Sequence, residues 1–228
     1  MSSILGVDIS GWQHPNNAPI DWEKVAEAGY DFMIVKATQG TNFENAWLHR
    51  DLSDARAAGL LLGAYHYFDI GIDAVAQAQA FVGSLVGELL ELGCWLDWEP
   101  SDVADYAVSA PYTAFLDKVA EARGICGTYC DNDWYTRLRT LSLPLHRHWE
   151  AWPSTTEPSP HPFMWQYGTS TVPGIVGYVD TDRLFAVRGI DPCTAPPARS
   201  VPTKLDTRSD EERASEASPP DITADPAQ

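Results

Sequence analysis

The spacing of four glycines constrains this chain most. Gly29, Gly59, Gly93 and Gly124 fall 30, 34 and 31 residues apart, and each separates an amphipathic segment from an apolar run. The runs are YDFMIVKA (30–37), LLLGAYHYF (60–68), CWLDWE (94–99) and ICGTY (125–129). Ahead of them, Leu48, Leu52 and Ala55 share one helical face. So do Val75, Ala78, Val82, Leu85 and Leu89, and so do Tyr112, Phe115, Leu116 and Val119. A glycine just past a helix takes the left-handed conformation that ends it without steric cost. Ser109 and Pro111 suit the start of the third helix. Helix, glycine and near-continuous apolar strand in repetition is the βα pattern of a parallel sheet buried on both faces.

ILGVDIS (4–10) supplies a strand before a first helix near 21–28. WEAW (149–152), FMWQYG (163–168) and YVDTDRL (178–184) read as later strands, and only a short helix near 132–138 fits after Tyr129. A full ring of eight helices has no room. The expected fold is therefore α/β, a modified, irregular (β/α) barrel of the TIM type with fewer helices than strands; an open doubly wound sheet is the alternative. Composition changes near Ile190. Residues 191–228 hold seven prolines, eight acids, four bases and no aromatic ring, so they have little to bury. The expected organisation is a domain over 1–190 and an acidic, Pro-rich disordered tail over 191–228.

Fifteen Lys and Arg against 32 Asp and Glu leave a formal charge of −17, of which −13 falls on residues 1–190. That field repels phosphate backbones and anionic lipid, so neither a nucleic acid nor a membrane surface is an expected partner. The segment MSSILGVDIS lacks the basic region and long apolar run of a secretory signal, and no apolar stretch is long enough to span a bilayer. Synthesis in the cytosol is the expectation. Cys94, Cys126, Cys130 and Cys193 are too few for a disulfide scaffold in 228 residues, so free thiols or one incidental bridge are expected.

In a parallel barrel the chemistry gathers at the carboxyl ends of the strands. Those ends carry Asp8, Lys36, Tyr65-His66-Tyr67, Asp97-Trp98-Glu99 and Tyr129. Residues i and i+2 of a strand share a face, so Asp97 and Glu99 both aim inward with Trp98 on the other side. Pro100 cannot continue the ladder and leaves the pair at the mouth. Carboxyls crowded beside rings hold a proton above their usual range, as glycosidic cleavage requires, though the same pair could ligate a divalent metal. Asp8, between Val7 and Ile9, needs a partner or a task, and Lys36 is a plausible partner. Asp180 has the same character, with Asp182 two residues on and the strand register deciding between them.

His146 and His148 share a strand face, as in a zinc site, but lie in a Pro-rich connection. His66 reads equally as a core histidine or a site donor. Rings stack on the apolar faces of sugars as well as packing cores, which makes Trp12, Tyr65, Tyr67, Trp98, Tyr129, Trp134, Trp152 and Trp165 candidates. No phosphate-binding glycine loop and no GxSxG elbow is present.

The segments GVDISGWQ (6–13), DWEKVAEAGYDFMIVKATQG (21–40), ARAAGLLLGAYHYF (55–68), WLDWE (95–99), GTYCDNDWY (127–135), WEAWP (149–153), MWQYG (164–168) and VDTDRL (179–184) resemble, in order, the glycoside hydrolase family 25 lysozymes, muramidases of the kind found in phage endolysins. The resemblance implies a modified barrel and cleavage of the β-1,4 bond between N-acetylmuramic acid and N-acetylglucosamine in peptidoglycan, with no metal or other cofactor. It implies Glu99 as general acid and Asp97 as the group that supports the acetamido group or the developing cation. It places the remaining acids at Asp8 and Asp180, and Trp12, Tyr65 and Gln166 in site segments. Lys36, His66, Tyr67, Tyr129, Trp134 and Trp152 complete the expected substrate contacts. A monomer acting on glycan strands, released through holin-type permeabilisation, fits that resemblance. Two positions depart from it: Gln39 replaces a frequent Glu, and Glu150 stands where an apolar residue is usual.

Overall fold

The computed structural model describes residues 3–101 and 103–185. In chain order it contains β1 (Ser3–Ile9), α1 (Trp22–Glu27), β2 (Phe32–Gln39), β3 (Phe43–Glu44), α2 (Leu48–Ala57), β4 (Leu61–Tyr67), α3 (Ala74–Ser84) and β5 (Gly93–Asp97). There follow α4 (Ser109–Arg123), β6 (Cys126–Asp131), α5 (Asn132–Thr140), β7 (His148–Ala151), β8 (Met164–Ser170) and β9 (Val179–Phe185). β1 pairs with both β2 and β9, so the order β1-β2-β4-β5-β6-β7-β8-β9 closes on itself, and β3 is a short hairpin arm on β2. The fold is a closed barrel, with fewer helices than strands among the described residues; the open sheet is excluded.

The barrel is mixed rather than all-parallel. β9 runs antiparallel to both β8 and β1, and every other pairing around the ring is parallel. The reason is length. Residues 171–178 are too few for a crossover back to the start of a parallel strand, which takes a dozen or more, so the chain returns as a hairpin.

Gly29, Gly59, Gly93 and Gly124 all have positive φ, as the spacing predicts. The third case differs in detail, because α3 ends at Ser84 and a turn-rich stretch separates it from Gly93. The carboxylates of Asp21, Asp73 and Asp131 cap α1, α3 and α5, accepting from the backbone N–H three residues on at 3.2, 2.7 and 2.7 Å. α4 begins at Ser109 as expected, but its cap position is Val108 and no side chain caps it.

Two cores sit on the two faces of the barrel wall. Val7, Ile9, Met33, Val35, Leu62, Ala64, Leu96 and Trp98 point outward and bury the apolar faces of the helices. Inside, Phe32, Ile34, Leu92, Trp95, Trp149, Met164 and Leu184 fill the lower barrel. The large inner rings fit because their neighbours are glycine. A Cβ on Gly6 would lie 2.2 Å from the Phe32 ring, one on Gly63 2.4 Å from Ile34, and one on Gly127 2.4 Å from Trp95. This plug closes the lower barrel and leaves the mouth as the place for a site.

Cys94, Cys126 and Cys130 are buried free thiols. Among the described residues no helix is long and apolar enough to cross a membrane. Cys193, the end of the 1–190 domain and the expected tail lie outside the described residues.

Candidate active site

Strand alternation carries a column of inward side chains to the mouth from each strand. β1 contributes Asp8, β4 Tyr65 and Tyr67, β5 Asp97 with Glu99 beyond it, β6 Tyr129, β7 Trp149, β8 Gln166 and β9 Asp180. With Ser10, Trp12 and Lys36 they line a cavity of about 270 Å³. Lys36 faces in by plain alternation from the inner Phe32 and Ile34, and β2 carries an irregularity just beyond it at Ala37. Lys36 pairs with Tyr65, Thr38 pairs with His66, and Ala37 is the extra residue. The bulge turns Gln39 inward, where its Oε1 accepts from Lys36 Nζ at 2.7 Å.

A relay crosses the floor of the cavity. The Tyr129 hydroxyl donates to Gln166 Oε1 at 3.0 Å, and Gln166 Nε2 donates to Asp8 Oδ2 at 2.8 Å. The amide is thereby fixed in orientation by a donor on one side and an acceptor on the other. Deeper still, Asp182 is fully buried and accepts from Trp149 Nε1 at 2.8 Å. Asp180 and Asp182 both face inward, being two residues apart, so the choice between them that the sequence leaves open is a difference of depth rather than of face. Asp182 reaches the polar floor and Asp180 lines the cavity.

The acids all hold their protons above the ordinary carboxylate range. Burial raises Asp8 to about 7, with Asp180 adding to the shift and the Gln166 hydrogen bond opposing it. Burial likewise raises Asp97 well up, aided by Glu99 and opposed by Lys36. Asp182 is pushed well up by burial and then by Asp8; as a neutral acid it can donate to Asp8. Glu99 stands more exposed at the lip. Loss of water raises it first, then the charge of Asp131, while Tyr129 and Lys36 pull it back. The one Tyr129 proton goes to Gln166 in this geometry, and Glu99 is the competing acceptor. Asp97 Oδ1 is buried with no hydrogen-bond partner among the described residues. Lys36, half-buried, is lowered by desolvation and sits 4.7 Å from the Tyr67 ring centre.

Asp8, Asp97, Glu99, Asp180, Trp12, Lys36, Tyr65, Tyr67, Tyr129 and Gln166 thus come together around one cavity. Three other expected contacts do not reach it. His66 lies on the outer face of β4, stacked on Phe115 at 4.9 Å, with its ring nitrogens tied to Thr38 at 2.8 Å and Gln77 at 3.1 Å. Burial lowers it to about 4, so it is a neutral core histidine. Its neighbours Tyr65 and Tyr67 face inward, so alternation already required it to face out. Trp134 is buried in the outer core, edge-on to Trp98 at 5.8 Å. Trp152 lines a separate cavity with Tyr135, His148 and Glu150. Ser10 and Trp149 line the acid cavity but are absent from the expected set; the i+2 parity from Asp8 and the inward parity of β7 would have found them. His148, one of the candidate metal ligands, stacks on Tyr135 at 4.1 Å instead.

A barrel mouth that holds proton-bearing carboxyls two residues apart, with an exposed indole at its rim, is equipped for acid-catalysed cleavage of a polar polymer. Residues 7–175 match Glycosyl hydrolases family 25. The chain belongs to that family, and it is a glycoside hydrolase of the lysozyme type. It is 30% identical over 206 residues to Lysozyme M1 of Streptomyces globisporus, covering 80% of this chain and 68% of that protein. It is 32% identical over 186 residues to the N,O-diacetylmuramidase of Arthroderma benhamiae, covering 73% and 75%. Among solved structures it superposes on the CTP1L endolysin with a TM-score of 0.67 at 25% identity, covering 81% of this chain and 67% of that one.

Proposed function

We propose that the chain is an N-acetylmuramidase that cleaves the β-1,4 bond between N-acetylmuramic acid and N-acetylglucosamine in peptidoglycan. The observation that carries this reading is the pairing at the end of β5: a raised, solvent-reachable Glu99 beside a buried Asp97 whose Oδ1 has no protein partner among the described residues. Glu99 protonates the departing glycosidic oxygen. Asp97 Oδ1 is a free acceptor inside the cavity, suited to the N–H of the substrate's 2-acetamido group. Holding that group orients its carbonyl oxygen against the anomeric carbon as the bond breaks. In their ionised forms Asp8 and Asp180 favour the cation that develops on the sugar. Trp12, 88% exposed, offers an indole face to a sugar ring at the rim.

The test is release of reducing ends from purified Gram-positive walls, with the fragments weighed by mass spectrometry. Reducing muramic acid termini support the reading; reducing glucosamine termini, or amidase products, overturn it. Glu99→Gln should abolish release and leave wall binding intact.

The finer proposal is an endolysin role, with the chain made in the cytosol and reaching the wall after the membrane is permeabilised. The likeness to the CTP1L endolysin supports it. Expression in a susceptible host should lyse cells only when a permeabilising protein is co-expressed; lysis by the chain alone would overturn it.

A further inference from the structure

We propose that Asp131, held by its own helix cap one step beyond the Asp97–Tyr129 pair, is a positioning residue for the acid step: the cap fixes its carboxyl in the surroundings of Glu99 and so tunes the group that donates the proton. This rests on the reading of Glu99 as the acid and adds to it a residue outside the cavity lining.

The geometry is a consequence of register. β5 and β6 run parallel with Asp97 opposite Tyr129, and the ladder continues past the end of β5 through the Trp98 amide, which donates to Tyr129 O at 2.9 Å. Glu99 and Asp131 are each two residues further along, on the same inward parity as Asp97 and Tyr129. Neighbouring strands lie about 4.8 Å apart, so the Glu99 and Asp131 backbones are neighbours across one strand gap. Asp131 cannot swing away freely, because its Oδ1 accepts the Trp134 amide at 2.7 Å as the cap of α5.

The other charged and titratable groups facing Glu99 come from every strand around it. Asp97 lies on its own strand, Tyr129 on β6, Lys36 on β2, Tyr65 and Tyr67 on β4, Asp8 on β1 and Asp180 on β9. Asp131 and Asp180 both raise Glu99 and Lys36 opposes them, while the charge of Glu99 in turn raises its strand neighbour Asp97.

Capping and charge can be separated, because Asn and Ser cap a helix about as well as Asp and carry no charge. The experiment compares the pH profile of kcat/KM on solubilised wall glycan for the wild-type chain, Asp131→Asn and Asp131→Ser. In both variants the basic limb should move to lower pH by about half to one unit, the size of one charge–charge interaction near a protein surface. The displacement should shrink in high salt. Limbs that coincide with wild type, or a uniform loss at every pH with the limb unmoved, would overturn the proposal and leave Asp131 a cap only. Glu99→Gln is assayed alongside. If it retains turnover, the assignment of the acid itself fails; if it is dead and the limb of the Asp131 variants is unmoved, this inference alone fails.

Discussion

Asp8 and Asp180 are cross-strand partners, opposite one another on the antiparallel β1–β9 ladder, and both line the same cavity. Like charges at such a pair repel, and burial of Asp8 compounds the effect. The protein therefore carries a built-in electrostatic cost at its mouth, with consequences for stability as well as for catalysis.

The first consequence is a pH-dependent stability. The folded pKa of Asp8 is about 7, against roughly 3.9 in an unfolded chain. Between those values the folded state binds more protons, so this group's contribution is fully favourable below about pH 4 and is lost as pH rises toward 7. Asp8→Asn removes the cost. Urea unfolding should find the variant more stable than wild type at pH 7, by up to a few kcal/mol, with the gap closing by pH 4. A gap independent of pH would refute this.

The relay gives a second prediction. Gln166→Leu breaks the bonds to both Tyr129 and Asp8. Asp8 loses a hydrogen bond that lowers it, and the Tyr129 proton is released to Glu99, which lowers the acid. Steady-state kinetics should record a drop in kcat of about tenfold or more, equivalent to at least 1.4 kcal/mol, and a basic limb moved to lower pH. Unchanged kinetics would show that the relay is incidental.

At the rim, Trp12→Ala should raise KM several-fold while kcat changes little, because an exposed stacking face binds ground and transition states alike. A fall confined to kcat would contradict a stacking role.

His66 tests the boundary of the site. His66→Leu strands Thr38 and Gln77 in the outer core and should cost ~1–3 kcal/mol of stability with kcat/KM unchanged. The wild-type ring has a folded pKa of about 4, below the unfolded value near 6.5. Its contribution is full above pH 6.5 and is lost as pH falls toward 4, the opposite slope to Asp8. Loss of turnover without loss of stability would return His66 to the site.

Inside the barrel, Gly127→Ala puts a methyl 2.4 Å from the fully buried Trp95 ring. Overpacking at a ring with no room to shift should cost about 1–3 kcal/mol in urea unfolding. Wild-type stability would mean that the plug is looser than its contacts indicate.

Much of this was legible beforehand where the rule is local. The faces of α2 and α4, the glycines after α1, α2 and α4 and the shared inward aim of Asp97 and Glu99 follow from periods of 3.6 and 2 along a few residues, whereas the face read through Val75 and Leu89 fails, because both are exposed and α3 ends at Ser84 with Ala74, Gln77, Ala78 and Phe81 buried instead. The same parity, applied to Tyr65-His66-Tyr67, excludes His66 from the cavity, and applied to β1 and β7 it adds Ser10 and Trp149. Trp134 and Trp152 were not separable from groove residues, since an indole suits a core, a second cavity and a sugar face equally well.

What the sequence determined by itself is therefore the set of elements and which side of each strand faces in, because those depend on neighbours in the chain. The meeting of Asp8 with Asp180, the bulge that turns Gln39 inward, the antiparallel return of β9 and the inner glycines that admit Phe32 and Trp95 were decided only in three dimensions. Each depends on registers between strands distant in the chain, and a register is set by how the closed barrel packs as a whole.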